Sequence, residues 1–259
     1  MSPFAKHKIV DRILTPTMGS WHLVGLDDDG TETKVFWARV TAANGLLTVT
    51  GDFYPTTFAF GPADPMACVR WMGSRDPSHQ GVDSYAFEKA KIGTGDGCCE
   101  YDVALAKDQL RALRSEVYTD GDDDCREMIE ALTAGIGVTT TRDGLAGVCQ
   151  VIDAVQAVSY LVQEDLEGIG ERPTSATTMA VQALNRLAEL FNEEFEAMRA
   201  VTSRSLSSGQ SPEVAATAII EAAIDLKMAN YEALRLCDSV FSAIIGRTAS
   251  DIAAGGEAK

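Results

Sequence analysis

Thr33-Lys34-Val35-Phe36-Trp37-Ala38-Arg39-Val40-Thr41, then Ala42-Ala43-Asn44-Gly45, then Leu46-Leu47-Thr48-Val49-Thr50-Gly51-Asp52, is a strand, a turn and a second strand in continuous order. In the first run Val35, Trp37 and Arg39 alternate against Phe36, Ala38 and Val40. In the second, Leu47 and Val49 alternate against Leu46, Thr48 and Thr50. A period of two is the signature of a strand with one face inward. Asn44-Gly45 is a strong hairpin signal, because both residues tolerate the positive φ of a tight turn. Upstream, Trp21 to Leu26 forms another apolar run, closed by the turn signal Asp27-Asp28-Asp29-Gly30. Downstream, Gly51-Asp52 interrupts the pattern, and Thr56 to Phe60 is a fourth short run. The expectation is an antiparallel meander of three or four strands, with one face covered by helices, since a few strands alone are marginal. Residues 4–14, with Phe4, Ile9, Val10, Ile13 and Leu14 apolar, read as a short amphipathic helix.

Beyond the strands the period changes. Asp64-Pro65 places a capping carboxylate before a proline in the first helical position and predicts a helix over 65–73. Residues 74–100 are rich in Gly, Ser and Asp and read mainly as loop, with one helical turn at 84–91. Helices are expected at 102–118 and 124–133, then at 143–167, about 175–204 and about 212–248. Leu184, Leu187, Phe191, Phe195 and Met198 form one stripe at spacings of three and four. A similar stripe runs from Ile220 through Ala223, Leu226 and Asn230 to Ile244. The short polar linker at 205–210 makes the last two helices antiparallel neighbours. The class is therefore α+β: an antiparallel meander packed with helices over residues 1–120, then a mainly helical region over 121–259 with a long helix hairpin at about 175–248.

The chain has 259 residues, 46% hydrophobic and 23% charged, which excludes a disordered polypeptide. Its net charge is −16. Residues 1–100 hold 9 basic and 12 acidic side chains, whereas 101–259 hold 13 basic and 26 acidic. Phosphate neutralisation needs a basic surface, so direct nucleic-acid binding is not expected, nor is an anionic membrane surface. No run approaches the roughly 20 apolar residues of a membrane helix. The opening MSPFAKHKIVDRILTPTM has no signal-peptide core, and a cytoplasmic location is expected. The six cysteines show no metal or redox spacing and read as reduced thiols.

Each chemical constellation is matched by a plainer reading. Asp27, Asp28 and Asp29 with Glu32 lack calcium-loop spacing and suit a charged hairpin tip. Gly93-Thr94-Gly95-Asp96-Gly97 lacks the Lys-Ser/Thr ending of a phosphate loop and reads as flexible. His7, His22 and His79 show no paired metal spacing. Neither a metal site nor a cofactor is called for. The catalytic candidates are Asp52, His22 and His79, with His22 meeting Asp52 only if the first and third strands of the meander present them together. Binding candidates are the acidic Asp122, Asp123 and Asp124, of which one caps the next helix, and Glu193, Glu194 and Glu196 on the long helix.

Phe36 to Thr41, Gly45 to Asp52, Phe58 to Phe60, Asp64-Pro65-Met66, Tyr85 to Lys91 and Glu100-Tyr101-Asp102 together resemble a motif of phage and prophage accessory proteins. In that group an extended run ends in Gly-Asp, a Phe-containing strand follows, and an Asp-Met helix ends in Arg. The resemblance covers about residues 20–115. It implies a phage gene expressed in a bacterial cytoplasm and supplies no catalytic residues.

Three functions follow as expectations. The first is a non-enzymatic binder or inhibitor of a host protein, a defence or nucleic-acid-handling factor, met through the acidic helices. The second is a metal-assisted enzyme or binding protein for a nucleotide-like ligand, sited between the meander and residues 76–102 around Asp52, Asp76, His79, Glu88, Lys89 and Lys91. The third is a virion or scaffold component, self-associating as a homo-oligomer through the C-terminal helices.

Overall fold

The computed structural model describes residues 2–73, 84–120, 126–154, 168–209, 211–225, 235, 238–240 and 242. The fold is α+β, as the sequence pattern predicts. Five antiparallel strands follow one another in chain order: β1 (His7–Leu14), β2 (Met18–Leu26), β3 (Glu32–Ala43), β4 (Leu46–Gly51) and β5 (Thr56–Ala59). Helix α1 spans Pro65–Gly73 and α2 spans Ser84–Thr94, followed by a 3-10 turn at Gly95–Cys98. Strand β6 (Cys99–Tyr101), helices α3 (Val103–Asp120), α4 (Arg126–Val138) and α5 (Arg142–Ala154) and strand β7 (Glu171–Pro173) come next. Helix α6 spans Ser175–Ser207 and α7 spans Pro212–Asp225. Arg235 and Ser239 are also helical.

The chain divides into two compact units, Met1–Cys98 with Ser175–Lys259, and Cys99–Thr174. The boundaries fall on either side of the 103–173 helices and not near residue 120. Helix α6 belongs with the sheet, because its apolar stripe is what covers it.

In the first unit, Trp21, Leu23, Ala38, Val40, Leu47, Val49 and Phe58 are fully buried on one face of the sheet. Leu184, Leu187 and Phe191 of α6 are buried with them, and the Trp21 and Phe191 rings meet at 5.4 Å. Four of the five residues in the predicted α6 stripe are buried, and Phe195 is half-buried. The hairpin at Asn44-Gly45 has both φ angles positive, 52° and 76°, as its sequence requires. Helix α1 crosses α6 closely at Gly73, where a Cβ would lie 2.4 Å from the Ala188 Cβ and 2.6 Å from the Leu184 carbonyl oxygen. Only a residue without a side chain permits that approach.

Three expectations are corrected. Residues 7–14 are the edge strand β1 and not part of a helix. A register shift between Ile9 and Asp11 sets two apolar residues side by side, and Ile9-Val10 followed by Ile13-Leu14 then imitates a helical period. The β-branched residues and pairing with β2 decide for the strand. The stretch at 84–97 is ordered: Thr94 accepts the Thr57 N–H at 2.7 Å and donates to the Thr57 carbonyl at 2.9 Å. It thereby satisfies both backbone groups of an edge residue and closes the β5 edge. In α7 Ala215 and Ile219 are the buried ones among the described side chains, while Ile220 is exposed. That helix is apolar on most sides, so spacing alone leaves its rotational phase open. Asn230 lies outside the described residues.

In the second unit, Ala106, Leu110, Leu132, Leu145, Val148 and Ile169 form a core between α3, α4 and α5. Asp102 caps α3, accepting the N–H groups of Ala104 and Leu105 at 2.9 and 3.1 Å, and those hydrogen bonds hold its carboxyl below the ordinary value. The expected break at 168–173 contains β7, which pairs with β6. Arg172 spans to Glu100 at 2.8 Å and Asp102 at 3.0 Å across that pair. No described helix is long and apolar enough to cross a membrane.

Candidate functional site

The Asp-Pro-Met start of α1 fixes the mouth of a cleft. Asp64 accepts the Ala67 N–H at 3.0 Å, and its backbone carbonyl takes the Cys68 N–H at 3.0 Å. Pro65 suits the first turn, where its missing N–H costs no helical bond. One face of α1 buries Cys68, Val69 and Met72. The opposite turn sequence then directs Met66, Ala67, Arg70 and Trp71 into a cavity of about 570 Å3. Ala188 and Asn192 of α6 line it from one side, and Arg235 and Ser239 complete it.

Two guanidinium groups and one carboxylate line it. Arg235 is ion-paired to Asp64 across 171 residues of sequence. The Arg70 Nε is buried and has no hydrogen-bond partner among the described residues. Burial pulls the Arg70 guanidinium below its ordinary value, and no carboxylate of the described residues acts against that pull. A desolvated donor left without a hydrogen bond is costly, and such groups are normally paired. Among the described lining residues the cleft is net positive, in a chain of charge −16.

A second cavity of about 600 Å3 lies on the other face of the sheet, lined by His22, Val24, Glu32, Thr33, Trp37 and Arg39. The His22 and Trp37 rings meet edge to face at 5.7 Å. Burial, then the Arg39 charge, lowers the His22 pKa, while Asp11 and Glu32 act in the opposite sense. Asp52 follows the end of β4 and lines neither cavity. No hydrogen bond or ion pair joins it to His22 among the described residues. Glu88 and Lys89 are on α2, whereas Asp76, His79, Asp122, Asp123 and Asp124 lie outside the described residues. No three His, Cys, Asp or Glu side chains among the described residues could together hold a metal ion.

The three glutamates of α6 part company. Glu194 turns to the sheet and meets the guanidinium of Arg12 twice, at 2.5 and 3.0 Å. Glu193 is exposed and meets Arg186 at 2.8 Å, and Glu196 meets Arg199 at 3.5 Å. Arg70, Asn192, Arg235 and Ser239 were not singled out by sequence. Their only local signal is the Asp-Met-to-Arg pattern of α1. No family model, no curated protein and no solved structure matches this chain.

Two of the histidines give a pH prediction. His7 is buried and donates from Nε2 to the Phe36 carbonyl at 2.8 Å, and burial lowers its pKa from 6.5. His22 is lowered from 6.5 as well. The unfolded chain therefore takes up protons near pH 6.5 that the folded chain resists, so folding weakens as pH falls from there through the lower folded values. The urea midpoint is expected to drop between pH 7.5 and 5.5. A His7→Gln/His22→Gln variant should flatten that slope, and an unchanged slope in the variant would refute the assignment.

Proposed function

We propose that this protein is a non-enzymatic binding protein and that its ligand is a small phosphate-bearing anion held in the α1–α6 cleft. The observation that carries this reading is the buried Nε of Arg70, without a hydrogen-bond partner among the described residues, in the same lining as a second guanidinium, Arg235. Planar guanidinium groups suit phosphate and carboxylate oxygens, and a bound anion supplies a counter-charge that the described residues do not give Arg70. Asp64 offsets one positive charge and orients Arg235, leaving the other charge for the ligand. Titration calorimetry with pyrophosphate in EDTA tests this. Saturable binding is expected, and Arg70→Ala should weaken it about tenfold or more, the scale of a lost hydrogen bond to a charged group. Arg39→Ala, on the other face of the sheet, should not. Absence of saturable binding, or equal affinity in the Arg70 variant, would sink the reading.

The same proposal retains the phage accessory context and the cytoplasmic setting implied by residues 20–115. Asp64 and Met66, which belong to that resemblance, line the cleft beside Arg70, the arginine near the end of the same helix. A binder in that setting acts by occupying its ligand. A second reading is a macromolecular partner, either the host protein or another copy of this chain. Met18, Ala43 and Leu46 sit opposite one another in register, and the neighbouring row brings Ile13 beside Ser20 and Thr41. Ile13, Met18 and Leu46 are 47%, 38% and 45% exposed on that one face. The acidic helix supports this reading less, because Glu194 is spent on Arg12. Light scattering of the wild type against Leu46→Glu separates self-association from a monomer.

A further inference from the structure

Inorganic phosphate would fill only a small part of a 570 Å3 cleft, a volume typical of sites for drug-sized molecules. The remainder is lined by Met66, Ala67, Trp71 and Ala188, all apolar. Trp71 is the unusual member. It is 43% exposed, yet its ring is braced on two sides. Phe60 meets it at 5.5 Å and 62°, and Tyr85 at 4.5 Å and 71°, both edge to face. The Lys89 ammonium group stands 4.9 Å from the Tyr85 ring centre. An exposed indole held this way loses little freedom when a second flat group settles on it. Two hydrogen-bonding side chains, Asn192 and Ser239, lie in the same lining.

We infer that the anion is a nucleotide, with its phosphates on Arg70 and Arg235 and its base against Trp71. This rests on the reading of the cleft as a phosphate site, and it adds the chemistry of the rest of the ligand. Stacking tolerates any base, because every base has a π face, so the class is nucleoside diphosphates and their relatives, without selection among bases from the indole alone. Asn192 can donate to and accept from base edges or ribose hydroxyls, and Ser239, whose hydroxyl donates to the Arg235 carbonyl at 2.9 Å, can accept from them.

Calorimetry with three probes in EDTA separates the two layers of the proposal: pyrophosphate, ADP and adenosine. ADP is expected to bind about tenfold to hundredfold more tightly than pyrophosphate, the range of one base on one aromatic ring. Trp71→Ala should abolish that advantage and leave pyrophosphate affinity unchanged, and Trp71→Phe should restore most of it. Arg70→Ala should weaken both phosphorylated probes alike. Equal affinity of ADP and pyrophosphate overturns the nucleotide inference and leaves the phosphate site standing. The same holds if Trp71→Ala weakens both probes equally. Failure of both to bind removes the two together, and tight binding of adenosine with none of pyrophosphate removes the phosphate site. Circular dichroism of each variant shows that it is folded.

Discussion

Glu194→Ala is expected to destabilise the protein by about 3–5 kcal/mol, the cost of removing one partner from a buried ion pair. The Arg12 and Glu194 side chains are only 4% and 14% exposed. Their two hydrogen bonds tie the edge strand β1 to the middle of α6. Removing the carboxylate leaves the guanidinium in place, desolvated, without this bidentate acceptor. A neighbouring pair provides the scale for comparison. Glu193 is 60% exposed where it meets Arg186, and Glu193→Ala should cost well under about 1 kcal/mol, because water screens such pairs. Replacing both buried partners, Arg12→Met with Glu194→Leu, should recover most of the loss, since apolar groups of similar size owe no desolvation. Urea titrations of the three variants measure this. A domain of this kind has about 5–15 kcal/mol in total, so the first variant should shift the midpoint visibly. If Glu194→Ala and Glu193→Ala fall within about 1 kcal/mol of each other, the pair does not hold the sheet to the helix.

That pair also shows how far the sequence could be read. Glu193, Glu194 and Glu196 are the same residue type, but at 3.6 residues per turn Glu194 lies about 60° from the centre of the apolar stripe, whereas Glu193 and Glu196 lie about 140–160° away on the opposite side. Periodicity therefore places Glu194 at the buried margin, but the partner it finds there depends on where an arginine of β1 comes to rest, and β1 reads as a helix because a bulge disguises its period. The central strands were legible because alternation and Asn44-Gly45 agree at every level: propensity, pattern and turn chemistry. The α6 stripe was legible for the same reason, with spacings of three and four sustained across a long helix. The phase of α7 was not, because apolar residues surround it. Nor was the membership of α6 in the sheet's unit, because contact between distant segments leaves no mark on local periodicity.

The cleft was partly legible. Asp64, Pro65 and Met66 stood out as a helix start and as part of a resemblance, but their capping role explained them completely. Arg70 carried no motif of its own. Its meaning comes from a buried Nε without a hydrogen-bond partner among the described residues and from Arg235, which the fold brings from far along the chain. The acidity of the whole chain pointed the reading toward basic partners, and net charge says nothing about a local site of opposite sign. Strand order brings His22 and Asp52 toward one another, but no hydrogen bond or ion pair joins them among the described residues. His22 faces Arg39 and Thr50 across the sheet, whereas Asp52 lies past the end of β4.

Trp21→Ala is expected to cost about 3–5 kcal/mol and Trp21→Phe far less, and the contrast tests what the indole contributes. Trp21 is fully buried, packs on Phe191, and lies across Gly19, where a Cβ would come 2.1 Å from the ring. Truncation to alanine therefore opens a void between β2 and α6. The walls around it, Leu23, Val40, Leu47 and Leu187, are themselves fully buried and cannot all relax into it. The indole Nε1 is also buried and has no hydrogen-bond partner among the described residues. An orphaned donor costs about 1–3 kcal/mol of desolvation that the folded state never recovers. Phenylalanine removes that donor while keeping one ring against Phe191. The lost volume and the removed orphan act in opposite directions, so the net change should stay within about 1.5 kcal/mol, as for other near-conservative core exchanges. Thermal and urea unfolding of the two variants decide the matter. A phenylalanine variant as unstable as the alanine one would mean that the Nε1 group has a partner and that the indole is held by a hydrogen bond as well as by packing.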